Sequence, residues 1–290
     1  MENNIKKYLA YDGKVSVKCI DSKKMVEDAR KIHDLSPTCT AALGRLLTMS
    51  SLMGVDLKNE NDAITIQIKG NGPIGMLTAV AKANGDVKGY VQNPLVELPL
   101  NNIGKIDVSG AVGKSGMMYI IKDIGLKDPY VGMTPIISGE IAEDFTNYFA
   151  KSEQTPSVVA LGVLVDKNGV KAAGGYQISL MPDCGDEEIT KIEEAVSKAD
   201  SISKMLDNSL SLNDIAKTVT GDDNIQIIEE SLNPEYNCDC SREKMERGLI
   251  AIGKKELEDI INTDGKADLV CHFCNKEYHF SKEELEGLIK

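Results

Sequence analysis

Residues 64–70, ITIQIKG, alternate apolar and polar side chains and are rich in β-branched residues, the period of a strand with one buried face. MLTAVAKANGDVKGYVQ (76–92) alternates on either side of Asn84-Gly85, a pair that accepts the positive φ of a tight turn, and so predicts strand, turn, strand. MMYIIKDIG (117–125) adds a strand, and VVALGVLVD…GVKAAGGYQISL (158–180) a further pair. Helical spacing marks TAALGRLLTMSSLMG (40–54) and GEIAEDFTNYFAKSE (139–153). Ser138 is the predicted N-cap of the second, with acidic residues in its first turn. Strands joined by tight glycine turns, with packed helices, predict an α+β domain on a largely antiparallel sheet over residues 1–181.

From Pro182 the pattern changes. DEEITKIEEAVSKADSISKMLDN (186–208) and LNDIAKTV (212–219) predict short acidic helices, and Asn233-Pro234 then breaks the chain. Residues 182–232 are therefore expected to be a helical linker. Residues 233–290 are expected to be a separate domain, too small to hold a core without a staple. Charge sharpens this division. Residues 1–181 carry 20 Lys/Arg against 19 Asp/Glu, whereas 182–232 carry 4 against 13. Such acidity fits a solvated helical face, or a segment whose packing is marginal because like charges repel. The net charge of −12 argues against a nucleic-acid backbone as partner. Trp is absent and Phe scarce, so the core must rest on Leu, Ile, Val, Ala and Met. The N-terminal MENNIKKYLAYDGK has no apolar signal segment, and the longest apolar run, VVALGVLV (158–165), is far short of the about 20 residues that span a bilayer. A cytoplasmic protein with no membrane partner is expected.

The chemistry concentrates near the C-terminus. Cys238-Asp-Cys240 is followed, thirty residues on, by Cys271-His-Phe-Cys274. Two close pairs suit a tetrahedral zinc ion, each pair gripping one edge of the tetrahedron. In a cytosolic chain this spacing favours metal over permanent disulfides. His272 and His279 are alternative ligands, but four thiolates already close the shell. A closed shell leaves zinc no open position for Lewis-acid hydrolysis. Two uses remain: a static structural site, which spacing favours, or a redox switch, since zinc keeps the sulfurs as the thiolates that oxidants attack. In the second case Cys238 could close on Cys240 and Cys271 on Cys274. The cations Arg242, Lys244, Arg247 and Lys276 lie near enough in sequence to lower thiol pKa values, though as surface charges they need no such role.

Three other patterns carry less. GNGPIG (70–75) satisfies the dinucleotide fingerprint, but a hairpin rather than a helix follows it, so NAD binding is not expected. GAVGKS (110–115) resembles a phosphate loop, but the position that needs a first glycine holds Val108, so ATP binding is not expected either. Cys19, Cys39 and Cys184 are isolated, and His33 is the sole histidine outside the cysteine-rich region. Buried structural cysteine is the expectation for all three.

The chain as a whole resembles a known family, the redox-regulated heat-shock chaperones called 33 kDa chaperonins. The resemblance rests on LGRLLTMSSLMG (43–54), ITIQIKGNGPIGMLTAVA (64–81), GYVQNPLVELPLN (89–101), AVGKSGMMYIIKD (111–123), SGEIAEDFTNYFAKSEQTPS (138–157), VALGVLV (159–165), CDCSRE (238–243) and CHFCNKEYHF (271–280). The connector at 182–232 matches least. The resemblance implies a non-enzymatic, ATP-independent holdase. It implies that zinc is held by Cys238, Cys240, Cys271 and Cys274 in an inactive reduced form. Oxidation under unfolding stress would then join Cys238 to Cys240 and Cys271 to Cys274, release zinc and unfold the C-terminal region. It further implies that the exposed surface binds unfolding client proteins and that the oxidised form is a homodimer. The helix at 43–54 and the apolar faces of the linker helices are candidate client surfaces.

Overall fold

A computed structural model describes residues 2–289 and divides into two compact units, one ending at Tyr236 and one beginning at Asn237. The larger opens on β1 (Asn4–Ala10), β2 (Val15–Asp21), α1 (Lys23–His33) and α2 (Pro37–Gly54). A meander of β3 (Ala63–Gly70), β4 (Met76–Lys82) and β5 (Val87–Val91) follows. Then come α3 (Val108–Val112), β6 (Gly116–Asp123), β7 (Tyr130–Pro135) and α4 (Ala142–Lys151), and the hairpin β8 (Ser157–Asp166) and β9 (Gly169–Leu180). α5 (Asp186–Lys198), α6 (Ile202–Asp207), α7 (Leu212–Thr220) and β10 (Gln226–Leu232) complete it. The strands form two five-stranded sheets, ordered β10-β1-β2-β9-β8 and β5-β4-β3-β6-β7, antiparallel at every pairing. The fold is thus α+β with antiparallel sheets, as the sequence predicts.

α2 packs against strands of both sheets and is buried along nearly its whole length. A helix apolar all round has no solvent face to present, which is why it belongs between layers. Its polar residues are satisfied locally: the Thr48 and Ser50 hydroxyls donate to the Gly44 and Leu46 carbonyls at 2.7 and 2.8 Å. Ser36 caps the helix by accepting from the Cys39 N–H at 3.1 Å, one residue before Pro37.

The first sheet is covered on both faces, and the alternation along β2 shows how. Ile20, with Ile5 and Ala173, faces the core around α2. Val15, Val17 and Cys19, with Tyr8, Tyr176 and Ile178, face a second core closed by Ile192, Ile202, Met205, Ile215 and Val219 from α5, α6 and α7. The acidic segment therefore has an apolar underside seated on a sheet, and its charges lie on the other side.

Four local expectations need correction. The helix of 139–153 starts at Ala142, and Ile141 rather than Ser138 is its N-cap. The buried Asp144 explains this: its carboxylate accepts from the backbone N–H groups of Ile137, Ser138 and Ile141 at 2.8, 3.0 and 3.1 Å, which fixes Ser138 in the loop. The stretch 186–208 is two helices, because Ala199 adopts an extended conformation. Residues 226–232 form strand β10, paired with β1, instead of continuing a helical run. Cys184 is half-buried at the edge of the second core, not buried.

The smaller unit contains α8 (Arg242–Ala251), α9 (Lys254–Thr263), the hairpin β11 (Lys266–Val270) and β12 (Glu277–Ser281), and α10 (Lys282–Leu288). Its core is Leu249, Leu257, Ile261, Cys271, Tyr278, Phe280 and Leu285. So few apolar side chains support a unit of this size poorly without a further staple.

Candidate metal centre

Cys238 and Cys240 lie in the extended chain that leads into α8, where Ser241 is the N-cap and accepts from the Lys244 N–H at 3.3 Å. Cys271 and Cys274 sit in the turn between β11 and β12. There the Cys271 carbonyl accepts from the Cys274 and Asn275 N–H groups at 3.2 and 2.8 Å, and the Cys271 N–H donates to the Lys276 carbonyl at 2.9 Å. Asn275 takes the left-handed conformation the turn requires, at φ 57°, which asparagine tolerates.

These elements bring the four sulfurs within 4.8 Å of one another. The Cys238 and Cys271 sulfurs are 3.7 Å apart, and those of Cys240 and Cys274 are 3.4 Å apart. Four ligands at about 2.3 Å from a tetrahedral zinc would be about 3.8 Å from each other. The donor set and its spacing therefore fit a metal ion of that kind. Among the described residues the group consists of the four cysteines and includes neither histidine. His272 is exposed, and the His279 ring meets Asp268 at 2.7 Å.

Burial raises the pKa of Cys238 and Cys274. Burial pushes Cys240 up as well. Hydrogen bonds from the Tyr278 hydroxyl at 3.0 Å and from the other three thiols outweigh it and bring Cys240 down to about 7. Tyr278, donating to that sulfur, is itself shifted upward. No spacing rule links position 278 to position 240, so the sequence alone does not mark this tyrosine. Its one signal is alternation in β12, which turns Tyr278 and Phe280 inward.

Three of the four cations near the cysteines in sequence engage side chains other than the thiols. Arg242 lies over the Phe280 ring at 4.2 Å and pairs with Glu284 at 2.6 Å. Lys244 pairs with Asp239 at 2.7 Å, Lys276 lies 5.2 Å from the centre of the Tyr278 ring, and Arg247 is exposed.

The remaining motifs are structural. GNGPIG and the end of α3 in GAVGKS pack on each other: the Gly72 and Ile74 N–H groups donate to the Val112 and Ala111 carbonyls at 2.9 and 3.1 Å. A Cβ on Gly70 would lie 1.9 Å from the Val112 carbonyl oxygen, so glycine is required there for the two loops to meet. Two amides of the first loop are thereby spent on the second. Cys19 is fully buried and its thiol is driven upward by burial. Cys39 donates to the Asn93 and Val96 carbonyls at 3.3 and 3.4 Å. The His33 ring meets the Tyr236 hydroxyl at 2.9 Å. No helix among the described residues is long and apolar enough to cross a membrane.

Comparison with known proteins agrees over the full chain. A family model described as Hsp33 protein matches residues 3–281. The 33 kDa chaperonin of Clostridioides difficile (strain 630) is 47% identical over 279 residues, 96% of each chain. That of Bacillus subtilis (strain 168) is 46% identical, covering 97% of this chain and 96% of its own. The crystal structure of the 33 kDa chaperonin of Thermotoga maritima, a heat shock protein 33 homolog, superimposes with a TM-score of 0.90 at 40% identity, covering 100% of this chain and 98% of that one.

Proposed function

This chain belongs to the Hsp33 family, and from that premise we propose that it is a redox-regulated, ATP-independent chaperone that holds unfolding proteins. In this reading Cys238, Cys240, Cys271 and Cys274 hold one zinc ion in the reduced, inactive form. The observation that carries it is the convergence of four sulfurs in a unit with a small core. Bound there, zinc would keep the sulfurs as thiolates and tie the extended 238–240 segment to the β11–β12 turn.

Oxidation by a peroxide would join Cys238 to Cys240 and Cys271 to Cys274. As each S–S bond forms, the thiolate pair gives two electrons to one peroxide, whose O–O bond breaks and which takes up two protons to leave as two waters; the joined sulfurs no longer serve as thiolate ligands. A bridge spanning a single residue, as in Cys238–Cys240, is strained and therefore readily reduced, which suits a reversible switch. The smaller unit would then lose its staple. The linker of residues 182–232, seated on the first sheet through α5, α6, α7 and β10, would follow. Its departure would bare Tyr8, Val15, Val17, Tyr176 and Ile178, an apolar surface of the kind unfolding clients bind. The acidic linker would keep a client complex soluble. The protein acts in the cytoplasm, without catalysis, and as a homodimer when oxidised.

Peroxide with mild heat should release about one zinc per chain. Disulfide mapping should show the two neighbour pairs, and the oxidised protein should suppress aggregation of a denatured client that the reduced protein leaves unprotected. Equal protection by the reduced zinc form would end the switch reading. Zinc retained under oxidant would favour a static structural site.

A further inference from the structure

The segment that joins the two units is more than a passage between them. We infer that residues 234–236 form a strap that closes the edge of β5, and that its hold sets how easily the switch is released. The inference rests on the reading above, in which Cys238 is a metal ligand.

β5 is the outer strand of the second sheet, and its backbone would otherwise present open N–H and C=O groups. The strap covers them in parallel, with Tyr236 bridged to Val87. The Val87 N–H donates to the Glu235 carbonyl at 2.9 Å, and the Glu235 N–H donates to Asp86 at 2.9 Å. Upstream, the Asn3 amide donates to the Pro234 carbonyl at 2.7 Å, while Asn3 accepts from the Met25 N–H at 3.0 Å. Buried Pro234 packs over the Asn84-Gly85 turn, since a Cβ on Gly85 would lie 3.2 Å from it.

The Tyr236 hydroxyl is the fastening. It donates to the Gly89 carbonyl at 2.7 Å and accepts from the Gly89 N–H at 3.3 Å. With its hydrogen on Gly89, the 2.9 Å contact with His33 is one in which the imidazole Nε2–H donates. A single side-chain oxygen thus ties β5 and the end of α1 to a residue two positions before Cys238. Loss of order after Cys238 would pull first on this fastening. Its release would open the β5 edge.

Tyr236→Phe keeps the ring and removes the oxygen. In the reduced, zinc-loaded full chain it should retain the parent's zinc content. It should speed hydrogen exchange at the Val87 and Gly89 amides by about tenfold, and shorten the time to zinc release under peroxide severalfold. Asp86→Ala, which removes the acceptor for the Glu235 N–H, should act in the same direction and decides the matter if the first variant does not fold. No acceleration at these amides, acceleration spread evenly over the larger unit, or local acceleration without earlier zinc release overturns the inference. The parent's zinc content and client protection report separately on the chaperone reading, because the exchange measurement involves no client.

Discussion

Serine in place of Cys271 should leave the smaller unit without its metal and largely unfolded even under reducing conditions. Metal binding supplies roughly 10–16 kcal/mol of folding free energy in small zinc peptides. The apolar core here is seven side chains, one of which is Cys271 itself. Nothing else in the unit replaces an energy of that size. The variant should hold no zinc after dialysis against a chelator. Residues 237–289, and with them the linker of 182–232, should be cut by protease at least about a hundredfold faster than in the parent, while strands β1 to β9 stay resistant. Equal protease resistance in the two proteins would show that the metal is not what keeps this unit folded.

Asp144→Ala should be the most damaging single polar substitution in the larger unit. The carboxylate is fully buried and gathers three backbone N–H groups within 3.1 Å, from Ile137, Ser138 and Ile141. It also holds Ile141 at φ 70° and ψ −54°, the strained γ-turn conformation that a β-branched residue adopts only under constraint. Removing it orphans those donors and frees the strained residue, at a cost of about 3–5 kcal/mol. Urea denaturation should show the midpoint falling steeply with the slope unchanged, and Asp144→Asn should fall between the two. A midpoint within error of the parent would refute this role.

The strands that the sequence revealed were those in which one short run carries its own explanation. ITIQIKG alternates, Asn84-Gly85 turns, and VVALGVLV is apolar enough to be buried. The clustering of the four cysteines was legible for the same reason, because close cysteine pairs are a local signal. What stayed hidden depends on partners far along the chain. QIIEESL in β10 reads as an acidic stretch until β1 is beside it. Tyr278 and Tyr236 are ordinary tyrosines until Cys240 and Gly89 come within reach of their hydroxyls. GNGPIG and GAVGKS each resemble a phosphate loop alone, and only their mutual packing shows why both need glycine. The proposed switch rests on family resemblance, since cysteine spacing alone favours a static zinc.

The pairing of β1 with β10 joins Ile5 to Leu232, nearly the first described residue to the end of the larger unit. A ribosome adding roughly 5–20 residues per second needs on the order of ten to forty seconds to cover that interval. Throughout it, β1 emerges with one edge unclaimed, so a nascent copy of this protein is itself an incomplete sheet in need of shelter. The last strand of that sheet to arrive also leads directly into the cysteine-bearing segment, so biosynthesis finishes the sheet just before it delivers the cysteines.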